Sequence, residues 1–141
     1  MYAFSVLYFD VMLKNSRLRR SFPGIDAIFK RHKVELAYIF GSTANGDRIK
    51  SSDVDLAVML PRKLSSQARF KKRLELIADL TDRYHKDFDV VVVNDIESPI
   101  FNFSIIASRG LIYCPDELVA LNFESRVLAL HDEAVFVRER Y

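Results

Sequence analysis

The stretch from Val34 to Leu60 constrains the fold most, because it joins two different strand patterns through a glycine-bracketed connection. Val34-Glu35-Leu36-Ala37-Tyr38-Ile39-Phe40 is a nearly continuous apolar run ending at Gly41, the pattern of a buried central strand. Beyond the connection, Val54, Leu56, Val58 and Leu60 alternate as the apolar face of a second strand. Asp53 and Asp55 must then share the opposite face, roughly 6 to 7 Å apart along it. Gly41-Ser42 turns the chain and Gly46 closes the turn. A glycine lets the backbone approach a ligand with no Cβ in the way, and Ser42 offers a hydroxyl and an N–H to phosphate oxygens. The spacing can therefore hold a nucleoside triphosphate opposite a pair of carboxylates able to bracket Mg²⁺.

Divalent ions that bridge phosphates prefer oxygen ligands, and a two-metal site needs several anionic donors. Phe88-Asp89-Val90-Val91-Val92-Val93 supplies a further one. The β-branched run is a strand signal, and Asp89 joins the Asp53/Asp55 pair if the two strands are neighbours. Asp87 lies on the same face as Asp89 and is the alternative. Gly41 to Gly46 also satisfies the first half of a P-loop, but Asp47 and Arg48 stand where that loop needs Lys and Ser/Thr, and an aspartate there repels phosphate. No dinucleotide glycine fingerprint, His-Glu-x-x-His or paired-cysteine motif occurs.

Gly41-Ser42-Thr43-Ala44-Asn45-Gly46, followed by Ser52-Asp53-Val54-Asp55-Leu56, resembles the signature of the polymerase β-type nucleotidyltransferase superfamily, above all its minimal nucleotidyltransferases. The similarity runs on through Phe88 to Asn94 and Ser98 to Tyr113, and covers roughly Gly24 to Tyr113. It implies an α/β (α+β) fold, a small mixed β-sheet flanked by helices. It also implies that Gly41 and Ser42 hold the triphosphate of ATP while Asp53, Asp55 and Asp89 are the catalytic, Mg²⁺-binding carboxylates. One position departs: many relatives carry a basic residue where this chain has Asn45, which weakens the expected grip on phosphate. Minimal nucleotidyltransferases commonly act as antitoxins beside HEPN-domain ribonuclease toxins, adenylylating a toxin tyrosine. The resemblance thus implies a protein adenylyltransferase with a HEPN toxin as partner. Two competing readings stand beside it: transfer to a small hydroxylated molecule such as an aminoglycoside, and a non-catalytic antitoxin that neutralises its partner by binding.

At 141 residues the expectation is one nucleotidyltransferase domain over 23–141, preceded by an extension over 1–22, with no additional acceptor-holding domain. Half the residues are apolar and the formal charge is only +2, which argues against direct nucleic-acid binding driven by bulk charge. A single cysteine, Cys114, excludes an internal disulfide, fits a reducing cytoplasm and reads as a small core residue. Met1 to Leu13 is apolar but lacks a basic start, is interrupted by Asp10 and is too short to span a bilayer, so neither signal nor membrane anchor is expected. A homo-oligomer stays open.

The remaining pattern alternates. A helix is expected from Pro23-Gly24 to about His32, with Arg17-Leu18-Arg19-Arg20 before it as a solvated basic turn. Ser65 or Ser66 caps a helix with Phe70, Leu74, Leu76, Ile77, Leu80 and Tyr84 as its apolar face and Arg69, Lys71, Lys72 and Arg73 as its wet side. Ser98-Pro99 opens a short helix with Phe101, Ile105 and Ile106 inward and Gly110 as its stop, and Leu111 to Tyr113 adds an edge strand. After Pro115-Asp116 a long amphipathic helix is expected, with Leu121, Leu128 and Val135 on one side. His32, His85 and His131 have no metal-binding spacing, and Tyr38 and Tyr113 read as packing residues.

Overall fold

The computed structural model describes residues 16–41 and 53–140. Among the described residues five α-helices, α1 (Ser16–Arg20), α2 (Ile25–Arg31), α3 (Ser66–Tyr84), α4 (Pro99–Ala107) and α5 (Glu117–Arg140), surround strands β1 (Leu36–Phe40), β2 (Asp53–Met59), β3 (Asp87–Val92) and β4 (Leu111–Tyr113). The sheet order is β3-β2-β1-β4. β1 runs antiparallel to β2 and β4, whereas β2 and β3 are parallel, joined by the crossover through α3 that a parallel pair requires. The apolar run enters β1 two residues late, because the Val34 N–H donates to the Phe29 carbonyl at 2.9 Å.

Strand parity divides the core. Ala37, Ile39, Val54, Leu56, Val58, Phe88, Val90 and Val92 face α1, α2 and α3, where Leu18, Phe22, Phe29, Leu76 and Leu80 meet them. Leu36, Tyr38, Ala57 and Val93 face α4 and α5, against Ile105, Ala120, Phe123 and Val127. On the first side, Asp79 of α3 ties the end of α2 down through His32 Nε2 at 2.5 Å and Arg31 Nη2 at 3.0 Å. Those bonds, His32 foremost, hold the Asp79 carboxyl below its ordinary range. On the second side the Tyr38 hydroxyl donates to Glu124 Oε1 at 2.5 Å, giving a buried phenol the partner it requires. Burial raises the Glu124 carboxyl, opposed by that hydrogen bond.

Ser65 is the N-cap of α3, its Oγ accepting from the Ala68 N–H at 3.1 Å. Only Leu76 and Leu80 of α3 are buried, and Phe70 and Leu74, expected inward, are exposed. Two residues expected on the wet side take the place beside the sheet edge instead. Arg73 Nε donates to the Val90 carbonyl at 2.5 Å, and Arg69 forks onto Asp95 while Nη1 reaches the Leu64 carbonyl. Satisfying these groups turns Phe70 and Leu74 outward past the edge.

In α5 the buried stripe is Ala120, Phe123 and Val127, one step away from the expected Leu121, Leu128 and Val135, of which Leu128 is exposed. α4 begins at the Ser98 cap as expected, with Ile105 buried and Phe101 exposed rather than inward. Its left-handed stop is Arg109 at φ 56°, and Gly110 is not in the left-handed region. His85, also left-handed at φ 54°, ends α3. Cys114 is half-buried, and among the described residues no helix is long and apolar enough to cross a membrane.

Candidate active site

Strand pairing assembles the candidate site. β2 and β3 are neighbours, as the carboxylate pattern requires, and their register sets Asp53 beside Asp87 and Asp55 beside Asp89. Adjacent parallel strands lie about 4.8 Å apart, and all four residues share the parity that points away from the buried valines. On the other side of β2, Phe40 pairs with Asp55. Asp53, Asp87 and Asp89 are exposed and Asp55 is half-buried. Burial first, then the charges of Asp89 and Asp53, raise the Asp55 carboxyl above its ordinary value. Like charges brought together in this way favour a bound cation or a shared proton.

Gly41 closes the other wall. It is left-handed at φ 69°, and a Cβ built on it would stand 2.5 Å from Asp55 Oδ2. The missing side chain therefore makes room for the Asp55 carboxylate, a contact invisible in a reading that assigns the glycine to ligand approach alone. Gly41→Ala is expected to displace the Asp55 side chain and to cut transfer at least about tenfold, since misplacement of a positioned group by an ångström costs that much or more. The fold should stay intact, with about 1–2 kcal/mol lost to the positive φ. A fully active variant with an unchanged thermal midpoint would sink this reading of Gly41.

Ser42, Asn45 and Gly46 lie outside the described residues. Among the described residues no three His, Cys, Asp or Glu side chains are gathered tightly enough to hold a metal unaided. Mg²⁺ is commonly held by one or two carboxylates together with substrate phosphates and water. The donor set agrees: all carboxylate oxygens, with Asp55 partly buried.

The family model described as Polymerase beta, Nucleotidyltransferase matches residues 24–118. The chain belongs to this nucleotidyltransferase family. A search of curated proteins finds no match, but solved structures share the fold. A toxin-antitoxin with AMP-PNP is 22% identical with a TM-score of 0.66, over 82% of this chain and 90% of that chain. The MNT antitoxin complex with tri-AMPylated HEPN toxin from Shewanella oneidensis is 18% identical with a TM-score of 0.65, over 86% and 92%. A toxin-antitoxin MntA-HepT is 22% identical with a TM-score of 0.56, over 86% and 97%. The nucleotidyltransferase domain in this chain thus has the mixed sheet flanked by helices that its signature implied. Phe40, half-buried beside Asp55, was missed as a site neighbour; its place directly before Gly41 was the available signal.

Proposed function

We propose that this nucleotidyltransferase moves AMP from ATP to a hydroxyl on a protein, a tyrosine of a HEPN-type toxin, and so acts as that toxin's antitoxin. The register that sets Asp55 beside Asp89, with Asp53 two residues away on the same face, carries the chemical half of the reading. The likeness to an MNT antitoxin complexed with a tri-AMPylated HEPN toxin and to a toxin-antitoxin MntA-HepT supports the acceptor half.

In the proposed reaction the acceptor oxygen attacks the α-phosphorus of ATP in line with the bridging oxygen to the β-phosphate. The new P–O bond forms as the α–β bridge breaks, and pyrophosphate leaves with the bonding electrons. The acceptor's proton passes to a carboxylate of the cluster, Asp89 being the one on β3, the strand farther from Gly41. Asp53, Asp55 and Asp89 would hold Mg²⁺, which when bound neutralises charge on the reacting phosphates. Gly41, with Ser42 beside it, holds the phosphates at the end of β1. Asp55 is kept in place by the space under Gly41, so the ligand side of the site is set before substrate arrives.

Incubating the chain with ATP, Mg²⁺ and its cognate toxin, followed by intact-mass measurement of the toxin, tests the proposal. One or more AMP increments are expected, absent with Asp53→Asn/Asp55→Asn. A tight complex that neutralises the toxin with no mass change, and equally well with the double variant, overturns it in favour of a binding-only antitoxin.

A further inference from the structure

Across the face that carries the carboxylates, one row reads Asp89 on β3, Asp55 on β2 and Phe40 on β1. The row does not end there. Phe101 of α4 packs against Phe40 with ring centroids 5.9 Å apart and planes at 86°. It is 38% exposed, next to Ile100 at 45%. The arrangement is edge-to-face, so the pair leaves ring surface uncovered. Phe22 and Phe29, in the core, are 1% and 0% exposed by comparison, and of the exposed phenylalanines it is Phe101 that meets Phe40 beside Asp55. An exposed aromatic ledge adjoining a cluster of carboxylates has the composition of a ligand site, apolar surface beside a few convergent polar groups.

We infer that Phe101, backed by Phe40, is the platform for the nucleobase of the nucleotide substrate. This assignment rests on the reading of the site as ATP-binding and adds the base subsite to it. Sidedness selects the base over the acceptor. Phe40 immediately precedes Gly41 on β1, where the phosphates are held, so the nucleotide occupies the β1 side of the carboxylates. Asp89 lies on β3, one of the sheet's two edge strands, across the carboxylate row from Phe40, which assigns the acceptor to that side. A nucleoside reaching from an α-phosphate above Asp55, away from the acceptor, meets Phe40 and Phe101 first. Rings of this kind bind any base by its π-face and discriminate little among bases. The ledge therefore strengthens nucleotide binding without itself selecting adenine.

Calorimetric titration of the full chain in Mg²⁺ with ATP and, separately, with inorganic tripolyphosphate tests the assignment. Phe101→Ala is expected to weaken ATP binding by about tenfold or more, from the known worth of base–aromatic stacking, while tripolyphosphate affinity is unchanged. Phe101→Tyr, which keeps the ring, should bind ATP as the native chain does and guards against a folding artefact. Equal weakening of both ligands by Phe101→Ala overturns the assignment, as does unaltered ATP affinity with a raised KM for the acceptor. A native chain that binds neither ligand overturns the nucleotide reading itself. A native chain that binds ATP but is indifferent to Phe101→Ala overturns only the base platform.

Discussion

Replacing Asp55 with asparagine is expected to give a folded protein whose transfer activity is lower by roughly three orders of magnitude or more. The estimate follows from a bound metal contributing several kcal/mol at the reacting phosphates, each 1.36 kcal/mol being tenfold. The effect on stability should have the opposite sign. Burial, then Asp89, then Asp53 raise the Asp55 carboxyl above its ordinary value of 3.8. A carboxyl that binds its proton more tightly folded than unfolded costs stability as it ionises. Stability from this group falls as pH rises from near 3.8 toward the raised value, and the cost is present in full above it. Asparagine carries no such cost. At pH 7 the variant should therefore melt at or above the native chain without metal, and this advantage should shrink as pH falls toward 3.8. Mg²⁺ should raise the melting temperature of the native chain by mass action on the folded state and leave the variant nearly unmoved. Thermal melts at neutral and acid pH, with and without Mg²⁺, read all of this. A variant markedly less stable at neutral pH, or one that keeps the Mg²⁺ response, would show that Asp55 is structural rather than a cation ligand.

That Asp55 is half-buried, and in the proposed site the carboxylate most in need of a cation, follows from its position rather than from its identity as an aspartate. Asp53 lies on the same strand face but is exposed. The desolvated member of a carboxylate set is the one whose charge is least tolerable alone and most strongly offset by a cation. In the proposed site stability is set against function at this residue, as is common where a site needs groups that the fold would reject.

The carboxylate face was legible in the sequence because strand parity is rigid. Once Val54, Leu56 and Val58 are assigned inward, Asp53 and Asp55 have one side left, and the same holds for Asp87 and Asp89 against Phe88, Val90 and Val92. Helical faces leave more freedom. On α3 the positions beside the sheet edge went to Arg69 and Arg73, whose guanidinium groups satisfy Asp95 and the Val90 carbonyl, something hydropathy does not rank. On α5 two apolar stripes compete, and the one holding small Ala120 is buried while Leu128 of the other stays outside. An aromatic at helical spacing usually packs in the core; Phe101 instead stays partly exposed against Phe40 at the end of β1, a tertiary fact. The contact between Gly41 and Asp55 joins residues 14 apart through strand pairing, and spacing alone does not distinguish it from a ligand cradle.

Gly110→Ala is expected to be the most destabilising single methyl that can be added to the described glycines, costing at least about 3 kcal/mol, the upper end of the usual overpacking range. A Cβ on Gly110 would stand 1.7 Å from the Ile39 carbonyl oxygen and 2.8 Å from its carbonyl carbon. Both are backbone atoms of the central strand and cannot rotate away. The approach is close because the Ile39 N–H donates to the Gly110 carbonyl at 2.8 Å, just beyond the β1/β4 register shift between Ala37 and Tyr38. Relief requires β4 to withdraw, exposing Leu111 and Ile112, which are 3% and 0% accessible. Gly24→Ala is the matched control. Gly24 is left-handed at φ 81° with nothing within 4 Å of an added Cβ, so only the conformational cost of about 1–2 kcal/mol applies. Urea unfolding should rank the two variants in that order. Because Gly110 holds the strand that ends at Phe40 and Gly41, its loss should also reduce nucleotide affinity in whatever fraction stays folded. Equal midpoints for the two glycine variants would mean that β4 yields easily, and that β1 owes its position to β2 alone.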